Sequence, residues 1–166
     1  MVGVLGTAPA REEISNTKAG PHGGNMDVQE VTTGTTVYLP CAVSGALLHV
    51  GDAHAIQGDG ELCGAGGIEC RAHVTLQVDI IKQALTSESV RMGNEDYIMT
   101  VCCGRSVEES FYRAAADMLT WLKSSYGLSR EEAFMLMAQV MEARATQYVN
   151  PTRTYICKMP RKYLGV

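Results

Sequence analysis

An α+β fold is predicted by the way the hydrophobic pattern changes along this chain of 166 residues. In the first part of the chain, apolar residues occur in short runs or alternate with polar residues, which is typical of β-strands. From residue 106 onward they recur at helical spacing behind two capping sequences. A final apolar run at 155–159 has strand character again. Antiparallel strands, a helical pair and one late strand together indicate an α+β domain.

The clearest predicted strand covers residues 71–81. Apolar residues stand at the even positions from Ala72 to Ile80, and polar residues stand at the odd positions between them. This alternation predicts a half-buried strand with one face in water. Further strands are predicted at 35–41, 46–50, 97–102 and 155–159. Residues 1–26 are rich in Gly, Pro and polar residues, and we interpret them as an irregular leader.

Two capping boxes mark the helical pair, which we assign to residues 106–145. Ser106 is followed by Glu109, and Ser129 is followed by Glu132; in each pair the two side chains can satisfy the free amides of a helix N-terminus. Gly127 between them is suited to the left-handed position that ends a helix.

Composition restricts the class of protein. The length fits one domain, residues 1–166, and a hydrophobic fraction of 46% with 19% charged residues is typical of a globular protein. The net charge of −4 argues against a nucleic-acid partner. We expect no membrane association, because no apolar run is long enough to span a bilayer and no signal peptide is visible. Six cysteines without a Cys-x-x-Cys pair indicate reduced thiols and a cytoplasmic location.

The glycine-rich loop from Gly51 to Glu69 is the main candidate for a functional site. It concentrates four carboxylates and one imidazole, and it follows the Pro21 to Asp27 turn, which adds a further acid. Glycine allows backbone that brings side chains together, and carboxylates with neutral His are ligands of divalent cations. We therefore predict Asp52 and His54 as metal ligands, with Zn²⁺ as the first candidate and Ca²⁺ or Mg²⁺ as the others; Asp27 is added as a third ligand on the resemblance given next. The alternatives are a solvated surface loop and an Asp27 that caps backbone amides.

Several motifs resemble the acetamidase/formamidase family. These are GVLGTAP, PHGGNMD, GDAHAIQGDGE with the following IE, GLSREEAFMLM and TQYVNPTRTYICKMPR, in the family's order. The likeness covers nearly the whole chain but only the C-terminal half of the family's proteins. It implies hydrolysis of a small linear amide such as formamide or acetamide. It also implies an antiparallel β-sandwich-like domain with a two-helix insert near the C-terminus.

Amide hydrolysis needs a strong nucleophile, stabilisation of the carbonyl oxygen and a proton for the leaving nitrogen. A divalent metal supplies the first two by lowering the pKa of water from about 16 to ~7 and by acting as a Lewis acid. A carboxylate beside that water takes and returns the proton. We expect Glu69 and Glu61 to be this base and acid, with Asp59 as a third nearby acid. Gln57 would donate a hydrogen bond to the carbonyl oxygen.

A chain that resembles half of a protein is expected to assemble. It would expose an apolar surface or a strand edge, which a homo-oligomer or a separate N-terminal-half subunit would cover. The alternative function is a non-catalytic metal-binding subunit or binding module of a split amidase.

Overall fold

Two antiparallel sheets and two helices form the fold in a computed structural model, which describes residues 1–64, 66–82, 87 and 89–165. The first sheet has four strands in the order β2-β3-β1-β5. These are β1 (Val2–Gly6), β2 (Ala19–Gly20), β3 (Gly23–Asn25) and β5 (His49–Ala53). The second sheet has five strands in the order β4-β6-β7-β9-β8. These are β4 (Thr36–Tyr38), β6 (Val90–Gly93), β7 (Tyr97–Gly104), β8 (Glu142–Gln147) and β9 (Arg153–Pro160).

The main core lies between the two sheets. Leu5 of β1 and Ala19 of β2 belong to one apolar cluster with inward-facing residues of the second sheet, among them Met92, Met99 and Ile156. Side chains from both sheets that interdigitate in this way make a β-sandwich. The predicted α+β class and the sandwich implied by the family resemblance are both confirmed.

A helical layer covers the outer face of the second sheet. Helices α1 (Val107–Tyr126) and α2 (Arg130–Val140) pack through Met118, Leu122 and Met137 against β7 and β9. Strand β7 is therefore covered on both faces, which explains why it reads as a continuous apolar run rather than as an alternating one. Neither of these described helices is long and apolar enough to cross a membrane.

The helix signals predicted from the sequence are present. The Ser106 side chain accepts the amide of Glu109, and Ser129 and Glu132 form a complete capping box. Gly127 ends α1 in a left-handed conformation at φ 69°. The predicted end of the pair at residue 145 is wrong, because Met141 is already extended and Glu142 begins β8, which pairs with β9.

Two strand assignments also need correction. The leader over residues 1–26 contains β1, β2 and β3, because the VGVLG segment pairs on both sides, with β3 and β5. The strand predicted at 71–81 is not formed. Within the described part of the chain, residues 71–82 make no strand pairing, and all of them are exposed. The prediction of a half-buried strand is therefore wrong, because pairing requires a partner edge and none of the described strands supplies one.

Candidate functional site

A polar cavity of about 740 Å³ opens beside the first sheet. Its walls come from β1, from the turn after β3, from β5 with the following loop, and from the β8–β9 connection near Asn150. Five of the predicted site residues lie in or against it: Asp27, Asp52, His54, Glu61 and Glu69 line the cavity. The glycine-rich loop and the Pro21 to Asp27 turn therefore converge, as the sequence predicted.

Asp27 is held deep in the cavity wall. Its backbone amide donates to the carbonyl of Gly3 over 3.2 Å, and the residue adopts φ 50°, which Asp tolerates better than most side chains. The side chain is 1% exposed. Oδ2 accepts a hydrogen bond of 2.7 Å from Asn150 Nδ2, whereas Oδ1 has no partner among the described residues. A buried carboxylate oxygen without a donor is costly, and either a bound cation or a proton shared with the neighbouring Glu61 carboxyl would relieve this cost.

Asp52 and His54 approach Asp27 from strand β5. Asp52 lies within the strand at φ 58°, and His54 follows it, where its amide bonds to the Met1 carbonyl. The distance from His54 Nε2 to Asp52 Oδ1 is 3.1 Å, and the imidazole is 3% exposed. One ligand atom from each of Asp27, Asp52 and His54 lies within 4.8 Å of the others. The three residues predicted as metal ligands are therefore gathered at one point.

Glycine at position 3 leaves the space that this arrangement needs. A methyl group on Gly3 would lie 2.6 Å from Asp27 Oδ1 and 2.7 Å from Asp52 Oδ2. The missing side chain of Gly3 thus leaves space between one oxygen of Asp27 and one oxygen of Asp52. A buried carboxylate oxygen without a partner, a second carboxylate and an imidazole around such a space fit a divalent cation.

The amide of Gln57 fixes the orientation of His54. Gln57 Nε2 donates to the backbone carbonyls of Asp27 at 2.9 Å and Thr146 at 3.3 Å. Its Oε1 therefore faces His54 Nδ1 at 2.9 Å as an acceptor, so Nδ1 must carry a proton. Both amide protons of Gln57 are engaged by the backbone. The predicted hydrogen bond from Gln57 to a substrate carbonyl is therefore not available in this arrangement.

The tautomer has a consequence at the other ring nitrogen. With a proton on Nδ1, the neutral imidazole presents the lone pair of Nε2 to Asp52 Oδ1, and to Glu69 Oε1 at 3.3 Å. A lone pair that faces two carboxylates is favourable only with a positive charge between them. That charge is either a second ring proton or a bound cation.

Glu61 and Glu69 lie on either side of His54 with different exposures. Glu61 is buried, its Oε1 is 3.9 Å from His54 Nδ1, and its Oε2 has no partner among the described residues. The Glu69 side chain is 67% exposed at the cavity mouth, and its backbone forms a bridge with His54. The site therefore contains one enclosed and one open carboxyl group.

The crowding of acids changes their protonation. Burial raises the pKa of Asp27 to about 8, and the nearby charges of Glu61 and Asp52 add to the effect. Burial also raises the pKa of Glu61. Burial alone would lower the pKa of His54, but its hydrogen bonds to Gln57 and Asp52 and the charges of Asp52 and Glu69 raise it above its usual value. Without a cation, the site therefore retains protons near neutral pH.

Asp59 does not belong to this site, contrary to the sequence prediction. Its Oδ1 accepts a 2.8 Å hydrogen bond from Arg144 Nε, and Arg144 also binds the carboxylate of Glu30. The pairing with a guanidinium draws Asp59 to the outer side of the loop, into a separate shallow cavity with Lys158. The position of Asp59 in the acid-rich loop gave no indication of this pairing, because Arg144 lies 85 residues further along the sequence.

Sequence reasoning missed the residues that support Asp27. The side-chain amide of Asn150 donates to Asp27 Oδ2, and the backbone amide of Asn150 donates to Gln147 Oε1 over 2.9 Å. Thr146 Oγ1 donates to the carbonyl of Met26. The signal for both residues is the TQYVNPTR motif at 146–153, which concentrates polar side chains next to the last strand.

Comparisons with known proteins identify the family of this chain. Residues 2–162 match the model of the acetamidase/formamidase family. The formamidase of Methylophilus methylotrophus is 37% identical over 70 residues, which are 42% of this chain and 17% of that protein. The acetamidase of Mycolicibacterium smegmatis is 37% identical over 84 residues, 51% of this chain and 18% of that protein.

Two solved structures match nearly the full chain. The acetamidase from Bacillus halodurans has a TM-score of 0.91 and 39% identity, and the match covers 100% of this chain and 57% of that one. The acetamidase from Yersinia enterocolitica has a TM-score of 0.93 and 35% identity, over 98% of this chain and 49% of that one. The chain thus spans about half the length of these solved relatives. Taken with the converging motifs, the match over residues 2–162 shows that the chain belongs to the acetamidase/formamidase family.

Proposed function

We propose that the chain hydrolyses a small linear amide, of the size of formamide or acetamide, to ammonia and a carboxylate. The observation that carries the proposal is the meeting of Asp27, Asp52 and His54 in the wall of a polar cavity, with Asp27 Oδ1 buried and unpartnered among the described residues. Membership of the family, and relatives described as formamidase and acetamidase, support the reaction class. Cytoplasmic location is part of the same proposal.

Asp27, Asp52 and His54 would hold a divalent cation, with Zn²⁺ as the first choice because the set includes a neutral imidazole. When bound, such a cation lowers the pKa of water and polarises a carbonyl. The exposed Glu69 carboxylate is suited to accept a proton at Oε1 from a water in the cavity. Glu61, whose pKa is raised by burial, is suited to hold a proton at Oε2 for the leaving nitrogen.

Gln57 acts in this proposal as a positioning residue. It holds the proton on His54 Nδ1 and so leaves Nε2 for the cation. Gln57→Met, which keeps the length of the side chain but removes its hydrogen bonds, is expected to weaken Zn²⁺ binding about 10- to 100-fold. Competition with a chelating dye measures this affinity, and ¹⁵N chemical shifts report the His54 tautomer in the metal-free protein. Gln139→Met, on the exposed face of α2, is the control. Equal zinc affinity of both variants would remove Gln57 from the site.

The active form is proposed to be an assembly, either of this chain with itself or with a complementary subunit. The exposed apolar side chains of residues 71–81 support this part of the proposal. The alternative is a non-catalytic metal-binding subunit or binding module of a split amidase.

Ammonia release tests the function. The purified chain is stripped with a chelator, reloaded with Zn²⁺, and incubated with formamide or acetamide. We expect ammonia only from the reloaded protein, loss of both zinc binding and turnover in His54→Ala, and no change in either for Asp59→Asn. Zinc binding without turnover supports the subunit alternative. A chain that binds no zinc and loses nothing in His54→Ala contradicts every metal-based function.

A further inference from the structure

Residues 71–81, which we name the arm, belong to no helix or strand and have no strand partner among the described residues. The arm leaves the rim of the site directly after Cys70, whose amide bonds to the carbonyl of Ala53. Beyond that bond, no hydrogen bond between two backbone groups within the described part of the chain involves residues 71–82, and the Ile80 amide donates to the side chain of Asp79. Most backbone donors and acceptors of the arm are therefore open, which is the condition for pairing with another strand.

The arm also exposes an apolar face. Val74 and Leu76 are 41% and 42% exposed, and Val78 and Ile80 are each 68% exposed. These residues point to one side of an extended chain, because side chains alternate along a strand. A continuous apolar stripe of this length is not expected on a surface that stays in water.

The charges of the arm are self-complementary. In an antiparallel pair of two arms centred on Thr75, Arg71 of each copy lies opposite Asp79 of the other. In the same register, the apolar residues face apolar residues, with Val74 opposite Leu76. Opposite charges on directly facing residues stabilise an antiparallel pair. We propose that two copies of this chain associate through their arms as a two-stranded antiparallel ribbon with its two-fold axis at Thr75.

A ribbon of two strands is marginally stable alone, so its apolar face needs a surface to pack against. The loops next to the arm supply exposed apolar side chains, and Ile56 and Ile68 lie on neighbouring segments joined by a backbone hydrogen bond. Because the arm begins beside Glu69, this association brings the second copy to the mouth of the cavity. The inference rests on the assembly part of the proposed function and names its surface and partner.

Charge reversal tests the register. Sedimentation velocity of the purified chain is expected to show a dimer. Arg71→Asp and Asp79→Arg each place like charges opposite one another, so either substitution alone is expected to raise the dimer dissociation constant at least about tenfold. The double variant Arg71→Asp/Asp79→Arg restores opposite charges and is expected to restore the dimer. All four substituted positions in the dimer are exposed in the single chain, so the fold is expected to remain intact by circular dichroism.

Cross-linking tests the two-fold axis. In a background of Cys41→Ser, Cys63→Ser and Cys70→Ser, Thr75→Cys places two thiols opposite each other, and oxidation is expected to give a covalent dimer. Gln77→Cys lies on the same face but is displaced from the axis by two residues in each copy, so it is expected to stay monomeric on a non-reducing gel.

A wild-type chain that is monomeric at all concentrations overturns the proposal and favours a complementary subunit as the partner. A dimer that is indifferent to the charge reversals, with no Thr75→Cys cross-link, also overturns it. Zinc affinity of the charge-reversal variants keeps this result separate from the proposed function. Dimerisation in a protein that binds no zinc leaves the arm inference valid and contradicts the metal site.

Discussion

Asp27→Asn is expected to make the metal-free protein more stable at pH 8, although it removes a candidate ligand. The folded-state pKa of Asp27 is about 8, against 3.8 for the free side chain. The folded state therefore binds this proton more tightly than the unfolded state does, and the free energy of unfolding falls as the pH rises from about 4 to about 8. The cost of an ionised Asp27 at pH 8 is roughly 2 to 5 kcal/mol, part of which is shared with Glu61. Asparagine cannot ionise and so avoids this cost.

Urea denaturation at pH 5 and pH 8, with a chelator present, measures the effect. We expect the gain in stability to be large at pH 8 and small at pH 5. Zinc should then narrow the difference, because it stabilises only the wild-type protein, by about 2.7 kcal/mol at a hundred times its dissociation constant. Asp96→Asn, which changes an exposed carboxylate, is the control and is expected to shift neither value. A wild-type stability that does not change between pH 5 and pH 8 would contradict the burial of an unpaired carboxyl group.

Gly3→Ala is expected to abolish zinc binding without removing any ligand. The added methyl group would lie 2.6 Å from Asp27 Oδ1 and 2.7 Å from Asp52 Oδ2, closer than a carbon atom can approach. The two carboxylates must move apart, and the space between them is filled. Because loss of an outer partner alone reduces metal affinity about 10- to 100-fold, we expect a loss of more than about 100-fold here.

Gly51→Ala provides the matched control for this substitution. Gly51 lies on β5 next to β1, and a methyl group there meets no atom within 4 Å. Both variants add one carbon to the same sheet, so a general effect on the sheet would appear in both. Calorimetric titration with Zn²⁺ compares them, and thermal unfolding of the metal-free forms checks the fold. Zinc affinities that remain equal to wild type in both variants would show that the cation does not lie between Asp27 and Asp52.

Local signals predicted much of the fold, and non-local pairing accounts for what they missed. The caps at Ser106 and Ser129 are short-range hydrogen bonds, so their sequence signature was sufficient. Strand β8 was missed because it directly follows α2 and becomes a strand through its pairing with β9. The arm shows the opposite error. Its alternation is real, but periodicity describes the faces of a strand and does not identify the strand that pairs with it.

The residues that line the candidate site could be predicted where several acids and a histidine lie in one loop, Gly51 to Glu69. Asp52, His54, Glu61 and Glu69 come from that loop, and the glycines around them were a usable signal. Asp59 has the same type and the same surroundings in sequence, yet it turns to Arg144. The role of Gln57 follows from two backbone carbonyls that no motif shows. Side-chain orientation within an acidic loop is decided by distant partners, and a single sequence does not identify these partners.

The hydrogen bond between Asn150 and Asp27 joins residues 123 positions apart. During synthesis, Asp27 therefore leaves the ribosome well before Asn150, the residue that orients its carboxyl group. Until then, Asp27 lacks its amide donor. Under the proposed function, the ion is therefore selected by the folded protein and not by its growing chain.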